Sequence, residues 1–252
     1  MIIDAPAPSL IPQLRSLWKE AFGDTDAFLD IFFHRAFSPD RCRCLTRDGQ
    51  VLAVLYWFDC EFQGKKLAYL YAVATGKAHR GQGLCKALLA DTHGHLKKQG
   101  YLGCLLCPQS DSLFSMYGKS GYHVCSYIRE FSCTAGTSLL TLTPASPEEY
   151  AAARRALLPE GGVFQEGVTL DFLSVFARFY TGPGICLACY PDAGSLVVCE
   201  LLGSPETAPS ILCALGFSRG KFRVPGQEKP RAMFLPLTAN ITAPDYFGLA
   251  LD

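Results

Sequence analysis

The sequence predicts a mixed α/β fold laid down twice in succession. Three observations carry this prediction. Two amphipathic helical stretches precede the first β-rich segment, a strand running through paired glycines into a helix sits in the middle of the first half, and the same coarse order of elements returns after residue 133. Element order repeats, while residue identities do not.

The first helix is read from Leu10, Leu14, Leu17 and Trp18 at helical spacing, and the second starts after Asp24-Thr25-Asp26 with Phe28, Leu29, Phe32 and Phe33. Arg41 to Thr46 and Val51 to Phe58 are rich in β-formers and flank Asp48-Gly49, a hairpin signal; Leu67 to Thr75 extends that sheet. A helix from Leu84 to Gln99, with Lys97-Lys98 in its last turn and Gly100 after it, leads to a buried strand, Tyr101 to Cys107. Asp111 to Lys119 then reads as a short helix and Tyr122 to Cys133 as a long strand. Arg41 and Arg43, alternating with Cys42 and Cys44, are expected on the solvent side of their strand.

Between Cys133 and Pro147 the composition shifts to Thr, Ser, Ala and Gly, so the domains are expected to be 1–133 and 134–252. The second begins with helices at Tyr150 to Leu158 and Leu170 to Tyr180, followed by strands at Ile185 to Tyr190 and Leu196 to Leu202. A helix from Pro205 to Leu215, capped by Gly216, precedes strands near Phe222 and Phe234.

Composition narrows the function. The 252 residues carry 23 basic and 23 acidic side chains, which gives no reason to expect nucleic acid. The longest apolar run, Val51 to Phe58, is too short for a bilayer, and the chain is expected to be cytoplasmic and off the membrane. Twelve cysteines fit a reducing compartment. Two pairs at Cys-x-x-Cys spacing, Cys104/Cys107 and Cys186/Cys189, enclose leucine and alanine where a zinc knuckle has turn formers, so buried packing is expected and no metal.

Leu70-Tyr71-Ala72-Val73-Ala74-Thr75 runs into Arg80-Gly81-Gln82-Gly83 and then directly into a helix. Such a junction suits a diphosphate, because the first helical amides lack internal partners and glycine lets the backbone approach an anion. Paired glycines alone also fit an ordinary turn. A Walker loop would need Gly-Lys-Ser/Thr, and a dinucleotide fingerprint a third glycine with a later acid; neither occurs.

Val-x-Thr leading through His79-Arg80-Gly81-Gln82-Gly83-Leu84 into an amphipathic helix, with Tyr117-Gly118-Lys119-Ser120-Gly121-Tyr122 further on, resembles the GNAT acyltransferase superfamily over residues 1–133. The helix-rich start and the degenerate second copy look closest to the tandem Eis-like subgroup. The resemblance implies a GNAT fold followed by a degenerate GNAT-like domain, and transfer of an acetyl group from acetyl-CoA to a primary amine, borne by a small molecule or a protein lysine. It further implies that the backbone of Val73 and Thr75 lies along the pantetheine arm, that Arg80, Gly81, Gln82, Gly83, Leu84, Cys85 and Lys86 surround the pyrophosphate, and that Tyr117 is the general acid for the departing thiolate.

Ala78 and Cys85 depart from the family pattern, and a thiol on the first turn of a helix is expected to be acidified and sensitive to oxidation. The base is open among His79, Glu130, Asp59 and Glu61, with the carboxylate at Asp252 a further candidate. Leu201-Leu202-Gly203-Ser204-Pro205-Glu206, at the equivalent junction of the second unit, has neither paired glycines nor arginine and is expected to leave CoA alone. The rival reading is a catalytically silent acyl-CoA sensor or scaffold.

Overall fold

The computed structural model describes residues 1–239 and 241–251. The chain begins with β1 (Ile2–Asp4), α1 (Ile11–Phe22) and α2 (Asp26–Arg35), and continues through β2 (Cys42–Arg47), β3 (Gln50–Phe62) and β4 (Lys65–Thr75). It then forms α3 (Leu84–Lys98), β5 (Gly103–Leu106), α4 (Asp111–Gly118) and β6 (His123–Thr134). The second half comprises β7 (Thr143–Ala145), α5 (Pro147–Leu157), α6 (Val168–Leu173), β8 (Arg178–Gly182), β9 (Ile185–Asp192), β10 (Ser195–Leu202), α7 (Ala208–Leu215), β11 (Arg219–Pro225) and β12 (Lys229–Pro236).

Local chemistry explains the helix ends. The Thr25 hydroxyl accepts from the Phe28 amide at the start of α2. Ser146 and Glu149 form a reciprocal capping box on α5. At the end of α1, Gly23 takes the left-handed conformation that stops the helix.

Among the described residues, twelve strands form one sheet in the order β1-β2-β3-β4-β5-β12-β6-β11-β10-β9-β8-β7. Read inward from either edge, the order is the same once six is added to each strand number of the first half. Directions follow: β4 is parallel to β5 and β10 to β11, and the other neighbours are antiparallel. The duplication read from element order is thus a pseudo-twofold axis lying between β6 and β12.

The last strand of each half has crossed into the other. β12 sits between β5 and β6, and β6 between β12 and β11. Close contact at this exchange requires Gly103, where an added Cβ would fall 2.3 Å from the Phe234 ring.

Both faces of the first-half sheet are covered, which explains the unbroken apolar run of β3. From Val54 to Phe58 successive side chains alternate between a cluster under α1 and α2 (Val54, Tyr56, Phe58) and one under α3 (Leu55, Trp57). In the second half α7 buries Ala208, Ile211 and Leu212 against β9, β10 and β11, much as α3 does in the first.

Three expectations need correction. The helix expected over Leu170 to Tyr180 ends at Leu173, and Arg178–Gly182 is β8, because Phe179 and its neighbours complete an antiparallel ladder with β9. Arg43 is not on the solvent side. It is 9% exposed and reaches Asp91 on α3 at 2.6 Å and Asp4 at 3.0 Å. Finally, the edge strands β1 and β7, three residues each, were not foreseen.

The second half is clamped by a buried charge cluster. Arg154 on α5 makes a two-pronged ion pair with Glu200 on β10, at 2.7 and 3.0 Å, and donates to the Val163 carbonyl. Tyr150 and Tyr246 also donate to Glu200. Every oxygen lone pair facing inward is met, so the desolvation of two charges is offset. Removing one partner strands the other: Arg154→Ala is expected to destabilise the fold by about 3–5 kcal/mol, read from the denaturant midpoint, and Arg154→Met with Glu200→Leu to recover most of that loss.

Candidate active site

β4 and β5 pair over only three residues, Leu67 to Tyr69 against Gly103 to Leu105. Beyond Tyr69 the two strands part. On its other edge β4 carries a bulge, with Ala72 and Val73 opposite Leu55 and Ala72 at φ 47°. The extra residue breaks the alternation. Tyr71 and Ala72 both pack toward the α1–α2 side, and Val73 turns toward the α3–α4 side.

A cavity of about 1030 Å³ opens at this splay. Val73, Leu106, Gln109, Leu113 and Tyr117 line one side. Trp18, Phe28, Tyr71 and Phe172 line another, and the second half closes it with Tyr190, Asp192, Lys221 and Arg223. The buried segment Leu249, Ala250 and Leu251 forms part of the floor, held where the Leu251 amide donates to the Tyr69 hydroxyl at 3.2 Å and Gln165 bonds the Leu249 backbone in both directions.

The structure brings Val73 and Tyr117 into this one cavity. Thr75 ends β4, and the exposed Arg80, Gly81, Gln82 and Gly83 carry the chain on to α3. Gly81 and Gly83 lie at φ 75° and 76°, with open space where a side chain would stand. Glycine is needed here for the left-handed backbone, and the open space leaves the amides approachable. Gly83 is the N-cap of α3, and no side chain caps it. The amides of Gly83, Leu84, Cys85 and Lys86 therefore have no acceptor inside the helix and point out at the positive end of its dipole. Arg80 folds back, donating from Nε to the Thr75 carbonyl at 3.2 Å, which braces the loop against the strand end.

These residues fit an acyl-CoA. Uncapped amides suit a diphosphate, the unpaired edge of β4 suits an extended amide-bearing arm, and the cavity beyond has room for an acyl group with its acceptor. Leu84 contributes only its amide, since its side chain is 4% exposed in the core under α3.

Tyr117 is buried, and its ring meets Tyr122 edge-on at 5.8 Å. Burial pushes its phenol well above the usual value, and Cys85 nearby pushes it further. Tyr122 in turn shares a 2.8 Å hydrogen bond with His93 Nε2, a contact between α3 and the loop before β6 that helical spacing could not reveal.

Cys85 does not behave as expected. Desolvation on the packed side of α3 pushes its thiol up, because the side chain enters the core while only the amide reaches the helix end. Among the candidate bases, Glu130 lines the cavity, whereas His79, Asp59 and Glu61 do not. Asp59 is engaged by Arg41 at 2.8 Å and by the Tyr101 hydroxyl. Burial would push Glu130 up, but Lys229 at 2.9 Å and Arg223 at 3.1 Å outweigh it and hold its carboxyl below the usual range. Asp252 lies outside the described residues. Cys104 lies on β5 with Cys107 just beyond its end, and Cys186 and Cys189 lie on β9, with four strands between β5 and β9, too far apart for one tetrahedral site. At the second junction Leu201 and Leu202 are fully buried and a Cβ on Gly203 would lie 2.2 Å from the Gly184 carbonyl, so the backbone there runs close against its neighbour, and no paired glycines follow it.

Residues 3–125 match the family model of the acetyltransferase (GNAT) domain. A GCN5-related N-acetyltransferase from Anabaena variabilis ATCC 29413 superposes with a TM-score of 0.76 at 15% identity, covering 94% of this chain and 73% of that one. Eis1 from Mycobacterium abscessus gives 0.67 at 12% identity, covering 94% and 74%. A tandem GNAT protein from the clavulanic acid biosynthesis pathway gives 0.57 at 10% identity, covering 94% and 98%. No protein of curated function matches the sequence. At these identities the structures speak for the fold, and the family match speaks for the chemistry. The protein is an acyltransferase. Residues 3–125 are the stretch that matches the GNAT acetyltransferase domain, of a family that draws on acyl-CoA, and no described helix is long and apolar enough to cross a membrane.

Two outcomes test the site's electrostatics. Burial lowers His93 from 6.5 to about 4. Between those values the unfolded chain binds the proton and the folded one does not, so stability falls as pH falls: a loss of about 3 kcal/mol from pH 7 to pH 4, read by denaturant titration and reduced in His93→Gln. The Cys85 thiol is expected to react with a disulfide reagent at neutral pH about tenfold more slowly than a free cysteine, followed by mass spectrometry of the labelled peptide.

Proposed function

We propose that the protein transfers an acetyl group from acetyl-CoA to a primary amine by direct attack in a ternary complex. The observation that carries this reading is the presence of Val73 and Tyr117 in one cavity beside the uncapped start of α3. Acetyl-CoA supplies a thioester carbonyl and a thiolate leaving group.

In this reading the amides from Gly81 to Lys86 hold the diphosphate, with Arg80 and Lys86 adding positive charge. The backbone of Val73 and Thr75, on the edge that β5 has abandoned, holds the pantetheine amides, and the bulge at Ala72 and Val73 turns an amide toward the reacting carbonyl. Such a preorganised donor is worth about 3 kcal/mol of barrier. Tyr117 delivers its proton to the departing sulfur; its raised phenol keeps that proton through the neutral range.

The acceptor loses its proton on entry. An ammonium moved from water against aromatic rings is desolvated, which lowers its pKa, and the ion-paired Glu130 is a weak base. The reaction is assigned to 1–133 and the second half, 134–252, to the acceptor wall, within a cytoplasmic protein.

Tyr117→Phe is expected to lower kcat about 100-fold with little change in the KM for acetyl-CoA, followed by free-thiol release over an amine panel. In the wild type, kcat should show no alkaline fall from this acid below about pH 10, since the raised phenol titrates above its ordinary value. Calorimetry with CoA should show binding in both proteins. Binding without thiol release on any amine would instead mark a silent acyl-CoA sensor.

A further inference from the structure

We propose that the acceptor is a primary amine carried on an apolar body about the size of an aromatic ring, rather than a polycation. The proposal rests on the acetyl-transfer reading above and adds the class of amine.

The α1–α2 side of the cavity is a row of rings. Trp18 meets Phe22 edge-on at 5.7 Å, Phe28 at 6.1 Å and Tyr71 at 5.6 Å, and Phe28 meets Phe176 at 5.3 Å. The row begins outside. Phe22 is 47% exposed, Val175 42% and Phe176 40%, and all three line this cavity. Singly scattered apolar side chains are ordinary on a surface, but three gathered at one mouth, continuous with buried rings, mark a surface awaiting an apolar partner.

Charge decides between amines. On this wall Asp24 is the one carboxylate lining the cavity among the described residues; it accepts from the Trp18 indole at 2.7 Å and makes no ion pair among them. The opposite wall carries two carboxylates, Glu130 and Asp192, and two cations, Lys221 and Arg223, and Lys229 also pairs with Glu130. That wall has no described negative excess. A single ammonium therefore finds one unmatched carboxylate and the faces of several rings, both favourable to it. A polyamine or aminoglycoside would bring several charges, of which all but one would lie desolvated against rings or beside cations. An apolar body loses nothing by leaving water there and gains in proportion to the area it buries.

The test has a turnover arm and a binding arm. In the first, thiol release from acetyl-CoA is compared for 2-phenylethylamine, spermidine and kanamycin. The expected result is a kcat/KM for 2-phenylethylamine about tenfold or more above either polycation, and a rise of about fivefold in its KM, at unchanged kcat, in Phe176→Ala and in Phe22→Ala. Both positions are exposed enough to tolerate truncation, and unchanged CoA affinity verifies the fold. In the second arm, Trp57→Phe leaves Trp18 as the remaining tryptophan, and 2-phenylethylamine is expected to change its fluorescence saturably while spermidine does not.

Polycations turned over as well as or better than the aromatic amine would overturn the proposal and leave acetyl transfer standing. So would a KM indifferent to both truncations, or a Trp18 signal that varies with protein concentration in the absence of amine, which would assign the rings to a second copy. A saturable Trp18 response with no turnover of any amine would keep the ligand class and remove the enzyme reading beneath it.

Discussion

The exchange of β6 and β12 is the constraint on which the rest of the molecule hangs. Each strand is hydrogen-bonded on both edges to strands that include members of the other half, so separating the halves would expose whole ladders of backbone donors and acceptors at once. A single sheet results, with its pseudo-twofold axis between those two strands. Gly103 records the closeness of the fit, since any side chain there would collide with Phe234.

The cavity follows from this arrangement. β12 takes the edge of β5 that faces away from β4, and the short β4–β5 ladder stops at Tyr69. Above that point β4 has no strand paired along one edge among the described residues and is bulged on the other, and the two devices together aim Tyr71 and Val73 into different sides of the space. The exchange also places Glu130 on β6 between Arg223 on β11 and Lys229 on β12, so the carboxylate in the cavity is tied to both neighbouring strands. An acid so paired holds the wall in register better than it takes up protons.

The duplicated halves have diverged where chemistry matters. α3 and α7 each follow the first strand of a parallel pair and both cover one face of the sheet, but α3 begins at a left-handed glycine with open space around it, while α7 has Thr207 as its N-cap, at the end of a 3-10 turn at Pro205–Thr207, with no glycine at its start. Its half keeps the architecture and spends its interior on packing and on the buried Arg154–Glu200 cluster. The buried ion-paired cluster and the open glycine junction thus fall in different copies of one plan.

The amino-acid order by itself determined the helices, most of the strands, the repeat of their order, and the glycine loop with its helix, because these depend on spacing of apolar residues, caps and turn formers within a few positions of each other. The segment around Tyr117 singled that residue out by its resemblance to a known motif, and the cavity lining includes it. Only the tertiary structure decided that Arg43 is buried against Asp91, that Cys85 is raised rather than acidified, that β12 lies beside β5, and that Phe22, Phe176 and residues 249–251 meet at one cavity. Each of those outcomes turns on which groups from distant parts of the chain share a water-excluded space, and burial of that kind is set by long-range strand pairing, which leaves no local pattern in the sequence.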